Sequence, residues 1–385
     1  MKVGIAPDSF KGSLTALQAA DCVEKGLKKA LKGISVVKIP MADGGDGTVQ
    51  TIVEATGGKI VRRTVSNPLG KRIRSSFGVS GDGKTAVIEM AAASGLALLS
   101  PRERNPMKTS TRGTGELIGH ALKLKAKHIL VGIGGSATND GGTGMARALG
   151  VRFLDAKGRD IPEGGGFLDR LDRIDMSGLN AGIADTRIEV ACDVDNPLTG
   201  PRGASRVYGP QKGADALMVK ELDRNLGRLA RIIRRDIGVD ILKASGSGAA
   251  GGLGAGLMAF VGGKLRPGID MVIDTVKLEK KLKGCSLVIT GEGRMDGQTA
   301  FGKAPAGVAK VAVKLGIPVI AIAGSLGDDV EAVRTVGIEA YFSALQELMT
   351  EEDLPGRGCG MLENCAEQLG RLMNVTRMLE KNWEK

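Results

Sequence analysis

Aromatic side chains are scarce in this 385-residue chain, where seven Phe, two Tyr and one Trp make up 3% of the residues. Single-stranded nucleic acid is usually gripped by stacking bases on aromatic platforms, so the formal charge of +11 does not read as a nucleic-acid binder. Lys and Arg are instead spread through helical patterns such as 25–32 and 224–235. They read as solvated faces and as a field that draws in anionic substrates. Only two histidines occur, His120 and His128, each in or beside an apolar pattern, which removes a Ser-His-Asp hydrolase from contention. The five cysteines are odd in number and form no C-x-x-C pair, so reduced thiols are expected, with no disulfide framework or zinc site. No apolar run approaches the ~18 residues of a membrane span, and the amino terminus enters a strand without a basic leader. A soluble, cytoplasmic protein with no membrane or nucleic-acid partner is the expectation.

Glycine, by contrast, is abundant, with 59 residues, and the apolar content is 42%. A chain of this length exceeds the ~250–300 residues at which single cores stop growing, so two domains are expected. The opening reads as strand 3–6, helix 14–31 capped by Ser13, strand 35–39 and helix 48–55, which is parallel α/β syntax. Residues 60–90 change to Val/Arg/Ser alternation with a hairpin-like Gly81-Asp82-Gly83, favouring antiparallel pairing. A long basic amphipathic helix is predicted over 217–233, and the glycine density of 246–256 argues against helix before about residue 257. The βα alternation returns after Cys285, ending in a helix over 361–379 whose stripe runs through Leu362, Cys365, Leu369, Leu372 and Leu379. Because both chain ends share this syntax, one discontinuous α/β domain (1–66 plus 284–385) is expected to carry an inserted α/β domain (67–283). Asn67-Pro68 and Gly284 are the expected hinges.

Loops rich in glycine and acid follow several predicted strands. Pro40-Met-Ala-Asp-Gly-Gly-Asp-Gly-Thr48, Gly134-Gly-Ser-Ala-Thr-Asn-Asp-Gly-Gly142 and Gly291-Glu-Gly-Arg-Met-Asp-Gly-Gln-Thr299 pair glycines with aspartates. Glycine lets backbone N–H groups approach phosphate oxygens, and a following helix adds its positive dipole end. Aspartates in the same loops would repel bare phosphate unless a divalent cation lay between, so the loops point to metal-nucleotide chemistry. Asp8-Ser-Phe-Lys-Gly-Ser13 adds a carboxylate, hydroxyls and a cation at the carboxyl end of the first strand, where open α/β sheets bind ligands. Cys192-Asp-Val-Asp-Asn-Pro197 places Asp193 at a strand exit, followed by Arg202, Arg206 and Lys212. That combination suits a base beside an acidic substrate. Gly297-Gln-Thr-Ala-Phe-Gly-Lys303 meets G-x-x-x-x-G-K, but Ala304 stands where a Walker A loop has its magnesium-binding hydroxyl. Gly246-Ser-Gly-Ala-Ala-Gly251 and Gly132-Ile-Gly-Gly-Ser-Ala137 leave a nicotinamide oxidoreductase open as an alternative, and a non-catalytic nucleotide sensor is a further one.

Taken together and in order, these loops resemble the bacterial type I glycerate kinases. The matching stretches are Ala6-Pro-Asp-Ser-Phe-Lys-Gly-Ser13, Pro40–Gly47, Gly134–Gly142, Asp193-Val-Asp-Asn-Pro-Leu-Thr-Gly200, 246–254 and 291–303. The resemblance implies ATP-dependent phosphorylation of D-glycerate, giving 2-phosphoglycerate, with 3-phosphoglycerate as the alternative product. It also implies a split flavodoxin-like domain with a parallel sheet and an inserted domain with a mixed, restriction-endonuclease-like sheet.

Chemistry then suggests roles for residues within that resemblance. Asp193 is the expected acceptor of the glycerate hydroxyl proton, and Lys11 and Lys303 the cations for the transferred phosphoryl group. Asp8, Ser9, Arg294, Arg202 and Arg206 are candidates for glycerate binding, a guanidinium being able to grip the carboxylate with two hydrogen bonds. Gly44, Gly45, Gly134, Gly135, Ser136, Thr138, Asn139, Gln298 and Thr299 are candidates for the nucleotide phosphates. Asp140, Asp296, Asp43 and Asp46 are the expected Mg²⁺ ligands. The pattern is silent on oligomeric state.

Overall fold

The computed structural model describes residues 1–347 and 353–383. The chain divides into two compact units, one built from Met1–Asp43, Gln50–Thr56 and Val272–Lys385, the other from Gly44–Val49 and Gly57–Met271.

The first unit holds an all-parallel five-stranded sheet. Lys2–Pro7 lies between Ser35–Lys38 and Leu287–Gly291, followed outward by Val319–Ala323 and Ile338–Ser343. Numbered along the chain, the order is 2-1-3-4-5, the flavodoxin-like arrangement. Its central strands are buried runs of Val, Ile and Ala, as strands covered on both faces require. Val3, Ile5, Ile289 and Ile322 share a core with the helices Ala16–Ala30 and Leu354–Trp383. Those two helices approach so closely at Gly26 that a Cβ there would lie 2.0 Å from the Glu363 carbonyl oxygen.

Several local expectations change. The first helix begins at Ala16 and is capped by Thr15 rather than Ser13: Thr15 Oγ1 accepts from Gln18 N while the Gln18 side chain accepts from Thr15 N. This reciprocal box satisfies two otherwise orphaned donors, which a lone Ser13 could not do. Cys22 and Cys359 form a disulfide between the two packed helices, contrary to the expectation of five free thiols. Spacing along the chain gave no hint of it, because the partners are 337 residues apart. Cys192, Cys285 and Cys365 are free. The expected apolar stripe of the last helix holds at Leu362 and Leu369 but not at Leu372 or Leu379, which are exposed.

The second unit holds a mixed six-stranded sheet in the order Lys264–Arg266, Arg187–Ala191, His128–Gly132, Thr85–Glu89, Arg72–Val79, Lys59–Ser66. The first four strands run parallel and the last two pair antiparallel. The main segment of this unit begins at Gly57, ten residues before the expected start at 67, because Lys59–Ser66 pairs along its whole length with Arg72–Val79. Asn67-Pro68 is the turn of that hairpin, with Asn67 Oδ1 accepting from Leu69 N and Lys71 N, and so is not a hinge between units. Within Ala249–Val261, Ala250, Gly251 and Gly252 are left-handed, so regular helix starts only after Gly252, a few residues before the expected start near 257. Gly251 is needed there on two counts: its φ is +69°, and a Cβ would fall 1.9 Å from the Thr138 carbonyl oxygen.

Inside this sheet Glu189, 2% exposed, accepts hydrogen bonds from His128 Nε2 (2.6 Å), Arg187 Nη2 (2.7 Å) and Arg266 Nη1 (2.8 Å). Burial alone would push its carboxyl up, but the bonds from Arg266, Arg187 and His128 outweigh burial and hold it at about 2. A folded-state value below the unfolded one stabilises the protein above the ordinary carboxyl range, and the gain is lost as pH falls through about 2. Glu189→Gln should therefore cost on the order of 3 kcal/mol at pH 7. In urea melts the difference from the parent should shrink steadily as the pH is lowered toward 2; a pH-independent difference would refute this account. No helix among the described residues is long and apolar enough to cross a membrane.

Candidate active site

In the first unit the chain reverses its direction of travel across the sheet between Lys2–Pro7 and Leu287–Gly291. Open α/β sheets bind ligands at the carboxyl ends of strands flanking such a switch. Asp8 and Glu292 are the residues that follow these two strands, and Asp8 N donates to Gly291 O at 2.8 Å. A pocket of about 530 Å³ opens there. Its polar lining includes Asp8, Ser9, Lys11, Asp43, Glu292, Arg294, Asp296 and Lys303.

The charges in this pocket are set against one another. Asp8 is buried, and burial first, then the negative charges of Asp43 and Glu292, push its carboxyl up to about 7, against the pull of the Ser9 amide and Lys11. Glu292 is also raised, chiefly by burial, with Asp296 and Asp43 adding to the effect while the Thr299 hydrogen bond and Lys303 oppose it. Lys303 precedes the helix Ala304–Lys314, with its ammonium 3.4 Å from Asp296 Oδ1 and 3.8 Å from Glu292 Oε2. Arg294 is exposed, its guanidinium 3.9 Å from Asp296 Oδ2. The cations thus stand beside crowded carboxylates without saturating them.

A divalent cation fits this arrangement, since carboxylates that raise one another's pKa are relieved by a positive charge between them. Among the described residues no three His, Cys, Asp or Glu side chains form a ready-made cage. Asp43 and Asp296, both expected as ligands, line this pocket.

The remaining expected residues divide by location. Thr299 is buried, donating to Glu292 Oε1 at 2.6 Å and accepting from Asp296 N at 3.1 Å, so it braces the loop rather than presenting its hydroxyl to a phosphate. Gln298 is exposed, its N–H bonded to Asp296 Oδ1. In the second unit, Gly44, Gly45 and Asp46 precede a helix start whose Val49 N donates to Glu89 Oε1 at 2.9 Å. The Gly47 and Thr48 amides also bond Glu89, so a carboxylate of the protein itself occupies the helix end expected to receive phosphate.

Gly134 and Gly135 are exposed at the end of His128–Gly132, and Ser136 sits at the edge of the interior. Thr138, Asn139 and Asp140 are fully buried. Asp140 accepts from Thr111 N, Thr111 Oγ1, Gly142 N and Gly144 N at 2.8–3.1 Å. Four protein donors satisfy both of its oxygens, which makes it the brace of the loop and not the expected metal ligand. Asn139 Oδ1 accepts from Ser205 Oγ in the interior. Asp193 is exposed and accepts from Gly268 N, at the start of the helix Gly268–Val276. Arg202, expected to hold a substrate carboxylate, instead pairs with Asp195 at 2.6 Å on the surface, and Arg206 is exposed. Glu292, which lines the pocket, was not among the expected site residues, and Lys212, expected as a cation near the substrate, is buried. For Glu292 the signal was its place directly after a strand.

The profile of the Glycerate kinase family matches residues 3–374. The chain is 52% identical over 353 residues to the glycerate 2-kinase of Escherichia coli K12, covering 92% of this chain and 93% of that protein. It is 49% identical over 379 residues to the glycerate kinase of Bacillus subtilis 168, covering 98% and 99%. A crystal structure from Salmonella typhimurium LT2 that carries the name glycerate kinase 2 superposes with a TM-score of 0.92 at 49% identity, covering 98% of this chain and 99% of that one. Matching in sequence and in fold along nearly its whole length, the chain belongs to the glycerate kinase family.

Proposed function

We propose that the protein is an ATP-dependent kinase that phosphorylates D-glycerate at the 2-hydroxyl, releasing ADP. The observation that carries this reading is the pocket at the sheet's switch point, where a buried carboxylate of raised pKa stands among Lys11, Arg294 and Lys303. Glycerate is small and anionic, and Arg294 supplies the guanidinium for its carboxylate. Lys11 and Lys303 neutralise charge developing on the γ-phosphoryl group, where positioning and electrostatics provide nearly all the catalysis.

Asp8 takes the reacting hydroxyl as hydrogen-bond acceptor, because it is buried and lines the pocket directly after the first strand. Asp193 was the expected acceptor; its exposed place at a helix start supports an interaction with backbone amides instead. Asp43 and Asp296 would hold Mg²⁺, which when bound screens the phosphate oxygens from these carboxylates. Within the second unit, the exposed glycines Gly134 and Gly135, with Ser136, offer amide and hydroxyl donors of the kind a phosphate takes. We place the enzyme in the cytoplasm among small-molecule substrates, with no nucleic-acid partner.

ADP release should require glycerate, ATP and magnesium together, and phosphorus NMR of the product should show 2-phosphoglycerate. ATP hydrolysis indifferent to glycerate would reject the kinase reading, and a 3-phosphoglycerate signal would reject the regiochemistry alone.

A further inference from the structure

Lys212 is 1% exposed, among the most buried large side chains of the protein. Its ammonium donates to Ser136 Oγ at 2.6 Å and to the Thr138 carbonyl oxygen at 2.7 Å. No carboxylate pairs with it among the described residues; Asp140 is the negative charge that acts on it through space. Burying an ammonium without a paired anion is costly, and a methionine could occupy similar volume without that cost. Packing alone is therefore a poor account of a lysine at this position. Burial drives its pKa down to about 7, with the charge of Asp140 opposing the shift, so the side chain is an ammonium below that value.

Geometry shows what the charge does. An ammonium has donors only, so the Ser136 oxygen must accept from it, and the Ser136 hydroxyl hydrogen is left to point elsewhere. That hydroxyl finds no acceptor among the described residues, and Ser136 directly follows the exposed Gly134 and Gly135. A hydroxyl polarised by a cation on one side is a stronger donor on the other, because hydrogen bonds in a chain reinforce one another.

We propose that Lys212 is a positioning residue of the Gly134–Gly142 loop, holding Ser136 from the interior so that its hydroxyl donates outward to a phosphate oxygen of the nucleotide. The inference rests on the reading of this loop as a nucleotide contact. Lys212 acts through Ser136 and touches no substrate, and its second bond, to the Thr138 carbonyl, fixes the backbone two residues further along. The loop is held from the other side by Asp140, so hydroxyl and backbone are both constrained before any ligand arrives.

The test is steady-state kinetics in both substrates for Lys212→Met, Ser136→Ala and the double variant, each checked by circular dichroism and thermal melting. Each single change should raise KM for ATP about tenfold, the scale of one charge-assisted hydrogen bond, and leave KM for glycerate within about twofold. The double variant should be no worse than Ser136→Ala, because both changes remove the same donor. If Ser136→Ala raises KM for ATP but Lys212→Met does not, or if the two effects multiply, the inference is wrong while the loop remains a nucleotide site. If Ser136→Ala changes neither KM, the loop reading falls and takes the inference with it. Should Lys212→Met fail to fold, Lys212→Gln, which keeps a donor but not the charge, should give an intermediate KM for ATP, and a wild-type value would overturn the proposal.

Discussion

Asp8→Asn should lower kcat by about 10²–10⁴-fold, the usual contribution of a positioned acid-base group, and at neutral pH it should make the folded protein more stable. The two effects have one origin. Asp8 is held by the geometry of the first strand in a buried place where Asp43 and Glu292 repel its charge. Its folded pKa of about 7 lies above the ordinary carboxyl value of 3.8, so the folded state binds a proton more tightly than the unfolded chain. Stability from this group is then greatest below the unfolded pKa, declines as pH rises from about 4 to about 7, and stays low above that. Asparagine carries no charge at any pH, so its advantage should grow across the same window to a few kcal/mol, on the order expected for a shift of this size. The melts should be run in EDTA, since a bound cation would relieve the same repulsion. A variant with near-normal kcat would remove Asp8 from the chemistry, and Asp193→Asn measured in parallel then tests the residue first expected there. A variant that loses turnover without gaining stability at pH 8 would leave the catalytic role standing and disprove the electrostatic account.

How much of this was legible in the sequence follows from which interactions are local. The parallel sheet of the first unit could be read from the buried runs at residues 3–6, 287–290 and 319–323, because strands covered on both faces have few alternatives. The discontinuous domain followed from seeing that syntax at both chain ends. Asp8, Arg294 and Asp296 were expected on the ligand side of the sheet because loops leaving the carboxyl end of a parallel strand lie there, and together with Lys303 they line the pocket. What failed was whatever depended on partners distant in sequence. Nothing near Asp140 announces Thr111 as its donor, and nothing near Gly44 announces that Glu89 fills the helix end. An acidic glycine loop looks alike whether its carboxylate faces a cation or its own backbone. The Cys22–Cys359 disulfide and the fully buried Lys212 belong to the same class. Lys212 sits between Gln211 and Gly213 in a stretch rich in Gly and Pro, yet packing carries it to the interior.

Lys303→Met should lower kcat by about 10²–10³-fold, the scale seen when one preorganised transition-state donor is removed, and should move the melting temperature little. The small structural effect follows from its partners: at 3.4 Å from Asp296 and 3.8 Å from Glu292, and partly exposed, the ammonium is too far from either for a strong ion pair. Partly exposed pairs of this kind contribute about 0–1 kcal/mol. The large kinetic effect follows from where the charge sits. Lys303 immediately precedes the helix Ala304–Lys314, whose Pro305 sets the first turn, so its ammonium and the positive end of that helix act on the same region. Negative charge increases there only during transfer of the phosphoryl group, so the loss should appear in kcat more than in KM for glycerate. Lys303→Arg, which keeps charge but spreads it over a planar group, should recover part of the rate. Arg294→Lys should behave in the opposite manner, raising KM for glycerate by removing the two-pronged grip on its carboxylate with a smaller effect on kcat. If Lys303→Met keeps kcat within about threefold of the parent while Arg294→Lys loses it, the two cations have been assigned the wrong way round.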